Sequence, residues 1–332
     1  MEVENLFVNA NQASFADYLS TFFNLLEYPS VVLLLAVLLE IVLPLSSSWR
    51  LSALKPLFAM MARKVNRDGN SLGQKVFSSV FLPVFILVII FAILEFLRFI
   101  IIYDSLLSIL LLPLLLESKP VLKNIVAVRN AIDDGRKDEG KKILQTRMIR
   151  DCRKLSQMGM YKAMSEQMAM SMFVNWFAIL VWYMLLGVEG AVLMQAVAVM
   201  NRSFSSKEKK TELFGIFIMK LEHALLIPAL VSFMLFMTFS FFYARILKNV
   251  LTHMKSYHDV ISSVILDTMG SYANCSLGGP RYYKNEIVRF AKLGTKNDPT
   301  EKTPFKIFNK IRFTGVLFVC TCVLLKIMQI LP

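Results

Sequence analysis

Residues 168–188 read MAMSMFVNWFAILVWYMLLGV, twenty-one positions without a single Asp, Glu, Lys or Arg. A helix rises about 1.5 Å per residue, so this stretch alone matches the roughly 30 Å hydrocarbon core of a bilayer. Two further windows are equally clean: Val76 to Leu94, and Ala224 to Ala244 (ALLIPALVSFMLFMTFSFFYA). Three others carry one charge each: Pro29 to Leu45 with Glu40, Phe99 to Leu116 with Asp104, and Phe313 to Ile330 with Lys326, whose long stem can snorkel to an interface. Soluble cores rarely hold so many such runs, so the pattern predicts an all-α, polytopic integral membrane protein with five to six transmembrane helices. Ala191 to Met200 is too short to span and is expected to be re-entrant or interfacial.

The 332 residues are 56% hydrophobic yet carry a formal charge of +13. So much apolar surface excludes a disordered chain, and 13 Gly with 4 Cys exclude collagen and disulfide scaffolds. The distribution of the charge explains it. Segment 46–75 holds 6 basic residues, 117–167 holds 12 and 245–312 holds 12, together 30 of the 37. The positive-inside rule assigns all three to the cytoplasm. Residues 1–28 contain Glu2, Glu4, Asp17 and Glu27 but no base, unlike a cleaved signal peptide, and are expected outside. Simple alternation would also place 202–223 outside despite its 5 bases. Hairpins or half-spans on either side would instead return it to the others. The expected organisation is therefore an extracytoplasmic segment (1–28), first spans with a basic loop (29–116), a cytoplasmic helical loop (117–167), a transmembrane or re-entrant region (168–244), a cytoplasmic segment (245–312) and a last span (313–332).

Within 117–167, Leu122, Ile125 and Val126 begin a helical stripe, Gly135 offers a stop after Asp133-Asp134, and Ile143, Leu144 and Met148 resume the period, predicting two amphipathic helices. The run Leu277-Gly278-Gly279-Pro280-Arg281-Tyr282-Tyr283 breaks regular structure; it is either a tight turn or a loop whose backbone N–H groups face a ligand. Asn297 to Thr300 reads as an exposed linker. There is no phosphate-binding P-loop and no dinucleotide fingerprint. Cys152, Cys275, Cys320 and Cys322 form no C-x-x-C pair, and His223, His253 and His258 are too scattered for zinc. Glu40, Glu95 and Asp104 are costly inside a bilayer and are expected near interfaces or facing other helices. The bases flank spans without an aromatic single-strand platform, so nucleic acid is not an expected partner.

Several of these segments together resemble the adenosylcobinamide-phosphate synthase (CobD/CbiB) family of cobalamin biosynthesis. Arg129 to Gly135 through Arg150-Asp151-Cys152 looks like that family's helix, turn, helix and "RDT". Lys162 to Gln167 looks like "KAAIET", and Leu277 to Tyr283 resembles "LGGPNYY", the most specific match. Asn201 stands at the family's "LDSM" acid, and Met170, Ser171, Val174 and Asn175 stand where further acids and amides are usual. Related AmpE-like proteins share the nonpolar replacement and the last span. The resemblance implies joining an amine to a corrinoid carboxylate through an acyl phosphate, with ATP and Mg²⁺, at the bilayer. Other corrinoid-assembly membrane proteins, or further copies of the chain, are the implied partners. It implies Glu166 and Glu222 as catalytic carboxylates. Arg150, Asp151, Lys162, Asn201, Lys207, Gly278, Gly279, Pro280, Tyr282 and Tyr283 are the implied substrate or phosphate contacts. A noncatalytic sensor or accessory protein of the same fold is the alternative.

Overall fold

The computed structural model describes residues 25–330 apart from 68, 149, 205–211, 241–242, 254–258 and 284–285. Lys207 and the first 24 positions of the expected extracytoplasmic segment therefore lie outside the described residues. In chain order the helices are α1 (Pro29–Val42), α2 (Lys55–Val65), α3 (Leu72–Ile100), α4 (Asp104–Leu115), α5 (Ser118–Asp133), α6 (Lys137–Arg147), α7 (Gln157–Met172), α8 (Ala178–Ser203), α9 (Glu212–Met237), α10 (Tyr243–His253), α11 (Val260–Ala273) and α12 (Thr303–Ile330). Short strands β1 (Ser276–Gly278), β2 (Arg281–Tyr283), β3 (Glu286–Val288) and β4 (Lys292–Gly294) form two antiparallel pairs, β1 with β4 and β2 with β3.

Local chemistry sets the boundaries. Ser71 and Gln74 form a reciprocal capping box that starts α3. Asp259 accepts the Ile261 and Ser262 N–H groups to start α11, which ends where Asn274 turns left-handed at φ 57°. The two amphipathic helices expected in 117–167 are α5 and α6, separated at Gly135.

Five stretches are long and apolar enough to cross a membrane: Leu72–Ile100, Asp104–Asp133, Gln157–Ser203, Phe214–Met237 and Thr303–Met328. The helix α3 turns Phe77, Phe81, Phe85, Val88 and Phe96 outward. A continuous apolar face of this kind suits lipid and would be anomalous in water. The chain is thus a multi-pass, all-α membrane protein. Two expected spans change. The first is a helix of 14 residues ending at Val42, about 21 Å long and shorter than the bilayer core. The one placed at Phe99 starts at Asp104, because residues 101–103 leave the helix between α3 and α4.

The apolar segment 191–200 is neither a separate span nor a surface helix. After a π turn at Phe173–Phe177, α8 folds back on itself at Leu186 and Gly187, where Gly187 takes φ 67° and ψ −154°. That left-handed geometry is open to glycine at no steric cost. Past the turn, a Cβ on Gly190 would collide with the Trp182 carbonyl oxygen, so the two arms lie against each other. The second arm returns to the level at which the first began: Val199 and Arg202 share a cavity with Asn175 and Ser171. At that end the Ser203 hydroxyl donates to the Lys55 carbonyl at 3.3 Å, and the Glu117 N–H to the Asn175 carbonyl at 3.1 Å. The start of the 202–223 segment therefore sits beside the other basic loops, as the hairpin alternative requires. At the opposite end Arg98 pairs with Glu95 at 2.9 Å, with Asp104 at 2.8 Å and with Glu189 beside the hairpin tip.

Candidate functional site

The segments that carry the resemblance converge on Glu166. This residue lies on α7, whose N-terminus is fixed by the Ser156 hydroxyl accepting the Gly159 N–H at 3.1 Å. Its carboxylate is buried, and both oxygens are engaged. Oε1 accepts the Gly278 N–H at 2.7 Å; Oε2 meets Arg150 at 3.0 Å and Arg281 at 3.2 Å. Gly278 (φ 73°) and Gly279 (φ 82°) bend the chain between β1 and β2, and a Cβ on Gly278 would collide with the Ala291 carbonyl oxygen. A Cβ on Gly279 would stand 3.3 Å from the Lys162 ammonium, which places Lys162 directly beneath the loop. Asp151 is tied in through its N–H, which donates to the Tyr282 carbonyl at 2.8 Å.

The geometry corrects several expectations. The backbone donors of the glycine pair do not face a ligand: that of Gly278 is held by Glu166, and that of Gly279 bonds the Ala291 carbonyl at 3.0 Å. Glu166, expected as a catalytic carboxylate, has both oxygens engaged by the Gly278 N–H, Arg150 and Arg281, and so docks the loop onto α7. Arg150 is correspondingly spent on Glu166, with its Nε and Nη2 left buried and unbonded. Pro280 is exposed at the loop tip; Tyr283 packs edge-on against Phe290, and Lys154 stands over the Tyr282 ring at 5.5 Å. Glu222 and Asn201 belong together, the Asn201 amide donating to Glu222, and do not join the Glu166 group. The segment at Asn297 to Thr300 is exposed at Asn297, Asp298 and Thr300 as expected, but it is anchored, since the Asn297 carbonyl accepts from Ser276 N–H at 2.6 Å and Pro299 is buried.

The Arg153 side chain and N–H hold the Asp151 carboxyl down at about 2. Burial pushes the Cys152 thiol up and takes that of Cys275 to about 12. Both are inert, and all four cysteines are free.

A second polar centre was not expected from the sequence. Glu40, fully buried, accepts the Ser118 hydroxyl at 2.7 Å and the Lys119 N–H at 3.2 Å, and faces Arg50 at 4.0 Å. Arg50 is itself buried and donates to the Leu116 carbonyl; burial lowers its pKa against the raising influence of Glu40 and Glu117. These bonds fix the extended Leu116–Glu117 step between α4 and α5, and so aim Glu117. The Glu117 carboxylate accepts from Gln195 at 2.9 Å and faces Arg202 at 3.5 Å. It opens on a cavity of about 320 Å³ whose other polar walls are Ser47, Ser48, Ser52, Lys55, Asn124, Arg147, Gln167, Ser171, Asn175 and Arg202. Ser171 and Asn175 are thus polar wall residues at positions where the resemblance showed only departures.

The basic side chains here fit phosphate oxygens, as ATP would need. Among the described residues no group of three His, Cys, Asp or Glu side chains could hold a metal ion. Mg²⁺ is therefore not matched by a protein cage, and no step below is routed through it.

Comparison with curated proteins, and with solved structures, finds no match. A family model described as CobD/Cbib protein matches residues 33–313, most of the chain and all of the site just described. The loop docked on Glu166, the α5–α6 pair and the hairpin all fall inside that match, and the chain belongs to the CobD/CbiB family, a family of cobalamin biosynthesis.

Proposed function

We propose that this protein forms an amide bond in cobalamin assembly or corrinoid salvage, joining an aminopropanol-type amine, or its phosphate, to the carboxylate of adenosylcobyric acid. The observation that carries this reading is the convergence of three distant segments on Glu166: Arg150, α7 and the Gly-Gly-Pro loop. ATP, implied by the family resemblance, would activate the carboxylate. The chain's own contribution is placement. Lys162 and Arg281 make the loop region cationic toward a carboxylate or phosphate, Glu166 with Arg150 fixes its shape, and Tyr282 and Tyr283 give it an aromatic flank. The large corrinoid exceeds the cavity and would lie across its mouth at the membrane surface, in the bacterial inner membrane with the basic end cytoplasmic.

One finding favours a second reading, a degenerate sensor or accessory protein like the AmpE branch: the expected catalytic carboxylate is saturated by cations. Complementation separates the two. A host lacking its own synthase, supplied with cobyric acid, should recover cobalamin-dependent growth when this chain is expressed. Absence of rescue with the protein verified in the membrane would leave only the second reading.

A further inference from the structure

Lys310 lies on α12 and is 7% exposed. Its ammonium stands 5.2 Å from the centre of the Tyr272 ring on α11 and 5.5 Å from that of Phe313, three residues further along α12. Among the described residues no carboxylate pairs with it and no acceptor bonds it. The other buried cations there are partnered: Arg50 has the Leu116 carbonyl and Glu40, and Arg150 has Glu166. Two aromatic faces attract a cation but carry no net charge, so they offset only part of the cost of taking an ammonium out of water. The remainder calls for an anion, and α12 supplies none. From Thr303 to Ile330 it holds Lys306, Lys310, Arg312 and Lys326 without an Asp or Glu.

The level of this ammonium in the fold points to where the anion comes from. Five residues on, the Trp176 ring leaves no room for a Cβ on Gly315, and Thr314 meets Met237 at the end of α9, so from there α12 runs among the apolar helices. Five residues before, Arg129 of the amphipathic α5 stands over the Phe305 ring, among the basic loops. Lys310 sits between the two, at the layer that phospholipid headgroups occupy. Beside it the surface turns apolar. Phe313 and Val316 on α12 are exposed, as is Phe239 just past α9, and the Phe236 ring bridges Phe239 to Phe318. A headgroup held at Lys310 therefore has a bed for its acyl chains.

We infer that Lys310 anchors a binding site for an anionic phospholipid, whose phosphodiester supplies the missing counter-charge. Free phosphate offers the same chemistry, but the apolar bed selects the lipid. A zwitterionic headgroup brings an ammonium of its own, and no carboxylate stands beside Lys310 to receive it, so a headgroup of the phosphatidylglycerol type is favoured. The bound lipid holds α12 against Tyr272 on α11, the helix that leads into the Gly-Gly-Pro loop. The binding requires no catalysis and does not depend on the reaction proposed above.

The test uses the full chain, purified in a neutral detergent and stripped of native lipid, and compares phosphatidylglycerol with phosphatidylcholine by native mass spectrometry. Phosphatidylglycerol should bind about tenfold more tightly. Lys310→Met keeps the stem and removes the charge; it should abolish that preference while leaving the lipid-free thermal midpoint unchanged or higher. Phe313→Glu, at a position 59% exposed, supplies a carboxylate from the chain itself and should also cancel the preference, whether or not Lys310→Met folds. Lys306→Gln, at an exposed position on the same helix, should leave it intact. Equal binding of the two lipids by the unsubstituted chain, or a preference that survives Lys310→Met or Phe313→Glu, would overturn the proposal. Displacement of phosphatidylglycerol by inorganic phosphate would overturn it in favour of a free anion. Loss of the preference in Lys306→Gln as complete as in Lys310→Met would overturn it in favour of a general attraction to basic surface.

Discussion

The Glu166 carboxylate grips the Gly278 N–H at 2.7 Å, joining α7 to a loop 112 positions away. Arg150 and Arg281 close the same knot. Replacing Glu166 by Gln keeps the shape but leaves one buried guanidinium group, that of Arg150, and one half-buried, that of Arg281, facing an amide. Breaking a buried pair in this way costs about 3–5 kcal/mol, so a large fall in the thermal midpoint of the detergent-solubilised protein should accompany any loss of growth rescue. Lost rescue with an unchanged midpoint would show instead that Glu166 acts on the chemistry.

Alanine at the two loop glycines should separate strain from collision. Gly279 takes φ 82° but meets only the flexible end of Lys162, so Gly279→Ala should cost about 1–2 kcal/mol. Gly278→Ala adds a clash with the Ala291 carbonyl and should cost distinctly more. Chemical denaturation of the two variants side by side checks the order.

Acid stability should report on Asp151. Its folded pKa of about 2 lies below the ordinary value of about 3.9, so its contribution is present above that ordinary value and is lost as pH falls through about 2. Asp151→Asn should therefore flatten the midpoint's dependence on pH in this acid window and leave the neutral region's slope alone.

Thiol chemistry should be silent at Cys275. With the thiol near 12 and buried, maleimide at pH 8 should modify it only after unfolding in dodecyl sulfate. Rapid labelling of the folded chain at this position would contradict the packing of α11 against β1 and β4.

The hairpin makes a prediction about sidedness. Cysteines introduced at Ser48, Arg136 and Lys220 should react with an impermeant maleimide from one face of sealed vesicles, and one at Tyr103 from the other. Reaction of the Lys220 position together with Tyr103 would break the shared basic end.

Much of this was readable in the sequence. Charge-free length marks a membrane helix without reference to any partner, so the clean windows containing Phe85, Phe177 and Phe233 all became bilayer helices. Gly135 and the left-handed glycines of the loop were visible because backbone conformation restricts residue type locally. What stayed hidden depended on contacts across the chain. Glu40 gave only the expectation of a partner; nothing along the chain shows that Ser118, 78 positions on, supplies its bond. Glu117 lay at a span boundary, where an acid is unremarkable, and its meaning comes from Gln195 and Arg202 on the returning arm of α8. The fold-back at Gly187 was invisible to hydropathy, which reads a hairpin and a continuous run identically. Glu166 was singled out for a carboxylate's chemistry, and nothing along the chain shows that Gly278, Arg150 and Arg281 all converge on it.

The Arg98 cluster has a further consequence, in terms of voltage. One guanidinium there faces three carboxylates, Glu95, Asp104 and Glu189, while the opposite end carries the basic loops. The hairpin therefore carries opposite charge at its two ends. An energised membrane acts on each elementary charge with about 2.3 kcal/mol per 100 mV. In the orientation proposed above, with the basic end on the negative side, that field would resist inversion of the protein after insertion. Collapse of the potential would weaken the restraint without disturbing a single internal contact.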